Sequence, residues 1–314
     1  MFCVRFGVLG AVVVLVVAVC SAAVAAIDGT ATAATEPADH FPLRFGNGEL
    51  AVGSSQSRQP PLLARVGEYV ERYYTRAQSL LAHEEVRVQP LGRDLGADGL
   101  ARRLLYELRV EWEPGSDQAG ASVVRELISV NGRPPRPGDE PRCTDPRTVS
   151  PEPLAPLLPG QREKYVFHPG REGRVDGRRA ATFEYRSIRA EAPRVEWKDD
   201  CASIDLPGRI RGRVWVDPDT AEILRFDEHL TGMVDIPVPV RQQRRGAAPF
   251  MTIERADTSI EYAPVAFVDP DETLMLPARI DSLVVVLNSG SPRLRITQTF
   301  SNYRRFVTDS RVVP

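Results

Sequence analysis

The 314 residues, 42% hydrophobic and 26% charged, describe an ordinary globular chain with ample material for a core. A formal net charge of −2 gives no electrostatic case for a nucleic-acid partner. Length alone admits one large β-rich domain or two smaller ones.

In chain order, the first signal is a leader. Arg5 precedes an uncharged stretch from Phe6 to Ile27 that is centred on "VVVLVVAV" and followed by "CSAAVAA". Ala23-Val24-Ala25 fits the small-x-small rule, so residues 1–26 are expected to be a signal peptide cleaved near Ala25 or Ala26. Two alternatives stay open: an uncleaved membrane anchor, or lipidation at Cys20, although Val19 suits that processing poorly. Each puts the rest of the chain beyond the cytoplasm, periplasmic or extracellular, and membrane contact is expected only through an uncleaved leader. Residues 27–58, rich in Ala, Thr, Ser and Gly without periodicity, are expected to be a flexible spacer.

A helical pattern opens at Pro60 and Pro61. Leu62, Leu63, Val66, Tyr69, Val70, Tyr73, Ala77, Leu80 and Leu81 recur at spacings of three and four, with Glu68, Glu71, Arg72 and Arg76 between them. That is an amphipathic helix with proline in its first turn, where it is best tolerated. Strands follow: a short "EEVRV", then "LLYELRVEW", in which Leu104, Tyr106, Leu108, Val110 and Trp112 share one face. "SVVRELISV" ends at the turn dipeptide Asn131-Gly132, and "TFEYRSI", "GRIRGRVWV", "EILRFDEHL", "FMTIER", "TSIEY", "RIDSLVVVL" and "RLRITQTF" complete the series. No ten-residue helices separate these strands, so the order predicts a β-rich α+β domain over residues 59–314, an N-terminal amphipathic helix packed on a meandering antiparallel sheet. Two insertions interrupt it. Residues 131–160 are proline-rich and read as a surface excursion with a short helical turn at 154–158, and residues 237–249 are basic.

Within "GRVWVDPDTAEILRFDEHL" both flanks alternate. Val214 and Val216 share one face, Arg213 and Trp215 the other, and Leu224, Phe226 and Leu230 share a face after the turn. Asp217-Pro218-Asp219-Thr220 has type I turn chemistry, so a hairpin turn is favoured over a calcium or catalytic loop. The same holds for "VDPDET" at 268–273, which lacks the ligand spacing of an EF-hand.

The helix followed by a meandering sheet, with "VWVDPDTAEILRFD" as its hairpin, resembles the half-barrel of bacterial lipoprotein-sorting factors, the LolA/LolB-type carriers. The phrases "VNGRPPR", "ADTSIEY", "DETLMLPARIDSL" and "TQTFSNYRRF" are similar to those of exported bacterial proteins with no known activity. The resemblance covers roughly residues 62–307. One departure is Ala221, where such hairpins commonly carry glycine, the residue that takes positive φ most easily. The resemblance implies a curved antiparallel sheet whose cavity binds acyl chains, with methylene burial at ~0.8 kcal/mol each as the driving force. Candidate lining residues are Tyr106, Leu108, Trp112, Trp215, Phe226 and Phe300. Core packing is the default role of such side chains and competes with this assignment.

Other chemistry is sparse. The sequence holds no HExxH, no Gly-x-Ser-x-Gly elbow and no phosphate-binding glycine loop, and the four histidines stand far apart. No metal, cofactor or catalytic residue is expected. Cys143 and Cys201 remain after cleavage. They are either two thiols or a disulfide permitted by export and worth ~4 kcal/mol by chain entropy. Arg209, Arg211 and Arg213, two residues apart, form a stripe suited to anionic headgroups or glycans. A lipid or other apolar ligand is thus the first partner expected. An envelope protein, met by a structural or protein-interaction domain, is the alternative, and an enzyme ranks below both.

Overall fold

The computed structural model describes residues 61–77, 80–111, 122–139, 147–149, 154–198, 201–243, 248–288 and 293–305, with two short segments, Cys3–Arg5 (β1) and Val16–Val17 (β2). The rest of the leader, the spacer, Trp112 and Cys143 lie outside the described residues.

Helix α1 spans Pro61–Arg76, with Pro61 at its first position. Its buried stripe, Leu63, Val66, Val70 and Tyr73, continues to Ala77, and the intervening Glu68, Glu71 and Arg72 are exposed. Leu80 and Leu81 are not part of it. They open β3 (Leu80–Leu91), where the pattern changes to alternation. The later strands are β4 (Arg102–Glu111), β5 (Ser122–Val130), β6 (Arg147–Val149), β7 (Tyr165–Pro169), β8 (Gly173–Val175), β9 (Arg178–Ser187), β10 (Arg194–Lys198) and β11 (Cys201–Asp205). Then come β12 (Ile210–Val216), β13 (Ile223–Leu230), β14 (Val234–Pro237), β15 (Phe250–Val268), β16 (Asp271–Leu287) and β17 (Arg293–Arg305).

One large curved sheet runs in the order β6-β5-β4-β3-β17-β16-β15-β13-β12-β9-β7, with every neighbouring pair antiparallel. Strand β14 adds to β15 and β8 to β9. The hairpin β10–β11 belongs to a separate small sheet with β1 and β2.

The face covered by α1, the inner face, carries the core in two main parts. Under the helix, Leu63, Val66, Val70 and Tyr73 meet Val214, Phe226, Ile260 and Ile280 from the sheet. Toward the other end, Ala202, Ile204 and Leu206, from and just after β11, cover Met251, Ile253, Val284, Val286, Leu294 and Ile296. Each fully buried aliphatic side chain stabilises the fold by roughly 1.5–3 kcal/mol relative to exposure.

Within the insertion at 131–160, the described residues 131–139 are mostly exposed, as a surface excursion would be, but its later part is not. Its 3-10 turn, Ala155–Leu157, lies where a short helical turn is expected, yet Leu154, Pro156 and Leu157 are buried, the two leucines in the helix-side core. Gly67 of α1 makes room for this segment, since a Cβ there would meet the Arg162 guanidinium and stand 3.0 Å from the Leu157 carbonyl.

The Asp217 hairpin is a turn. Asp217 Oδ1 accepts from the backbone N–H of Asp219 (2.9 Å) and Thr220 (3.1 Å), and Ala221 takes φ +64°. The Arg178 guanidinium donates to Asp217 Oδ2 (2.7 Å) and Glu222 Oε2 (2.5 Å). Arg65 of α1 donates to the carbonyls of Pro218 and Asp219, tying the helix to the tip.

Candidate functional site: a polar row on the inner face

The outer face is a field of short ion pairs. Three adjacent strands repeat Arg-x-Asp: Arg225 with Asp227 on β13, Arg255 with Asp257 on β15, and Arg279 with Asp281 on β16. Surface pairs of this kind contribute little stability each and leave little net charge. Trp215 stands on this face between the Arg213 and Arg225 guanidiniums, 5.5 and 5.1 Å from its ring centre, and meets the helix-side core only as a partly buried side chain at its margin. The arginine stripe is also here. Arg211 is exposed, Arg213 is bonded to Glu184, and Arg209 is half-buried where the strand begins.

Four of the apolar candidates are on the inner face but do not converge. Phe226 is fully buried under the helix, and Phe300 packs at the border of that cluster, stacked on Tyr303. Leu108 lies with Ala82, and Tyr106 with Leu104 and Val130, in two smaller groups. Cys201 opens β11, and its partnership with Cys143 stays an expectation.

What does converge is polar. Strand register puts Tyr185, Gly212, Glu228, Thr258 and Ser282 in one row across β9, β12, β13, β15 and β16. Glycine in the second place is required, because the Tyr185 ring crosses over it. A Cβ on Gly212 would stand 2.5 Å from that ring and 2.3 Å from the Asp227 carbonyl. Crossing the strand brings the Tyr185 hydroxyl to donate to Glu228 Oε2 at 3.0 Å. Thr258 and Ser282 continue the row with their hydroxyls 3.4 Å apart. Farther along the same face, Glu84 of β3 accepts from Arg125 Nε of β5 (2.6 Å) and Gln298 Nε2 of β17 (2.6 Å).

The two glutamates share a face and a degree of burial, 0% and 1% exposed, but not an environment. Both oxygens of Glu84 are engaged, one by Arg125 and the other by Gln298 with a longer contact from Arg125. Glu228 has Tyr185 on one oxygen, while Oε1 makes no hydrogen bond to any described residue. Burial pushes the Glu228 carboxyl up to about 8, against the opposing pull of the Tyr185 hydroxyl. Burial first, and then the neighbouring Glu228, drive Tyr185 well above the ordinary tyrosine range, and Tyr165 is raised for the same two reasons. Tyr165, Phe167, Tyr185 and Phe226 form an aromatic wall beside the carboxyl, with ring centres 5.6–6.4 Å apart between neighbours. Near neutral pH Glu228 is therefore an uncharged acid in an apolar and aromatic setting.

Several solved structures are similar to the chain. One is a LolA superfamily protein from Nitrosomonas europaea, at 12% identity and a TM-score of 0.31, covering 78% of this chain and 94% of that one. Another is an outer membrane lipoprotein-sorting protein domain from Vibrio parahaemolyticus, at 11% identity and a TM-score of 0.35, with 78% and 94% covered. A third is the MucA/MucB complex of Pseudomonas aeruginosa, at 12% and 0.24, with 77% and 99% covered. No protein-family model and no curated protein matches the chain.

Sequence reasoning passed over the row. Glu228 alternates in phase with Leu224, Phe226 and Leu230, which marks it as inward-facing, and Gly212 is a lone glycine inside a strand, a sign of close approach by another group. Tyr185 carries no comparable signal, because its role depends on strand register.

Proposed function

We propose that this protein is an exported binding module, a half-barrel of the lipoprotein-carrier type that holds an apolar ligand against its inner face. It works beyond the cytoplasmic membrane once its leader is removed. One observation carries the reading. The inner face is apolar on both sides of a buried polar row, and that row contains a carboxyl oxygen, Glu228 Oε1, with no partner among the described residues. An unpaired buried polar atom costs about 1–3 kcal/mol, and a fold retains such a cost where something other than packing uses the group. Helix α1 on one side and the hairpin β10–β11 on the other are the elements that would part to admit a chain.

Native mass spectrometry and organic extraction of the protein purified from envelopes test this. The expected result is a co-purifying amphiphile, with displacement of a fluorescent fatty acid by the extract. Recovery of ligand-free protein that also fails to take up the fluorescent probe would rule the reading out.

A further inference from the structure

We infer that Glu228 and Tyr185 form a polar subsite that selects ligands carrying an acyl carbonyl, with Glu228 donating its proton from Oε1 to the carbonyl oxygen. The inference deepens the proposal above and rests on the inner face holding an apolar ligand. The Tyr185 hydroxyl donates to Oε2, which makes Oε2 the carbonyl-like oxygen of a neutral acid and leaves the proton on Oε1. A buried O–H needs an acceptor, and Oε1 finds none among the described residues. The matching group on a ligand is thus an acceptor with no proton of its own to place, which an ester or amide carbonyl satisfies. An ammonium fits poorly, since it would have to strip the proton from an acid that the site keeps neutral.

The surroundings agree with this assignment. The groups facing Glu228 are Tyr185 of β9 over Gly212 of β12, Tyr165 of β7 and Thr258 of β15. Burial raises its pKa and the Tyr185 hydrogen bond opposes the rise, with no cationic side chain among the described residues contributing. Glu84 is the internal control. It is equally buried on the same face, yet it is held by Arg125 and Gln298, as a carboxylate serving only architecture would be. The row also lies between the two main apolar clusters, where the head of a chain would be held while its methylenes cover either side.

The test is calorimetric titration of the full chain with a monodecanoyl glycerol ester and with the matching decyl glycerol ether, at about pH 6 and about pH 9.5, either side of the Glu228 titration. The ester should bind roughly 3- to 10-fold more tightly than the ether at the lower pH, the worth of one hydrogen bond. That preference should fall toward unity at the higher pH, where the donor proton is gone. Glu228→Gln, which keeps an N–H donor at this position, should show the ester preference at both pH values, and Glu228→Leu at neither. Equal binding of ester and ether by the wild type at both pH values would overturn the subsite while leaving an apolar-ligand protein. Binding of neither compound would overturn the apolar-ligand reading and the subsite with it.

Discussion

Replacing Glu228 with glutamine removes a proton equilibrium from the middle of the protein and leaves the shape almost unchanged. The carboxyl titrates at about 8 in the folded chain against an ordinary 4.5. Below pH 4.5 both states hold the proton, and the group's contribution to folding is fully present. As pH rises toward 8, the unfolded chain ionises while the folded one cannot, and the contribution is lost at about 1.4 kcal/mol per pH unit. At pH 7 the accumulated loss is about 3 kcal/mol. The amide of Glu228→Gln replaces the acid's O–H with an N–H and never ionises, so it escapes this loss. The variant should match the wild type near pH 4.5 and exceed it by about 3 kcal/mol at pH 7, or roughly 6–12 °C in melting temperature. Urea denaturation followed by tryptophan fluorescence, repeated across this range, measures the difference. If the two stability profiles run parallel from pH 5 to pH 8, the carboxyl is ionised in the folded protein and the buried-acid argument fails.

Three other outcomes follow from the same packing. Gly212→Ala drives a methyl into the Tyr185 ring and the Asp227 carbonyl and should cost about 1–3 kcal/mol in chemical denaturation, while moving the apparent Glu228 titration as the Tyr185 contact is lost. Arg125→Ala leaves Glu84 buried without its guanidinium and should cost about 3–5 kcal/mol at neutral pH, with much of this recovered in the double variant Arg125→Ala/Glu84→Gln. Leu157→Ala should cost about 2–5 kcal/mol if the proline-rich insertion is anchored under α1, whereas a surface excursion would give under ~0.5 kcal/mol by thermal melting.

Much of this architecture can be read from the alternation of side chains, and the errors have identifiable causes. Strand β5 coincides with its expected run, and the antiparallel order follows from consecutive strands without crossover helices. Strand β15 reads as two because a bulge between Ile253 and Arg255 resets its phase. Leu80 and Leu81 read as helical because a spacing of three and four can continue by chance into a strand that alternates. Strands β7, β10, β11 and β14 are five residues or fewer, too short for periodicity to show. Ala221 does adopt the positive φ that makes glycine common in such hairpins. It is nevertheless buried in the helix-side core, so the methyl that strains the backbone also packs. The site itself was half legible. Alternation sends Glu228 inward and Trp215 outward, but which tyrosine reaches across which strand depends on register, a long-range property that no local pattern encodes.

The tyrosine lying over Gly212 also acts as a proofreading device for strand pairing. If β12 slid by one position against β9, Arg211 or Arg213 would fall beneath the ring. An aromatic plane would then meet a long charged side chain where only a hydrogen atom fits, and the carboxyl beyond would lose the Tyr185 hydroxyl as its donor. Misaligned pairings are thus penalised where β9 meets β12, and the contact that completes the polar row also fixes the alignment of the strands around it.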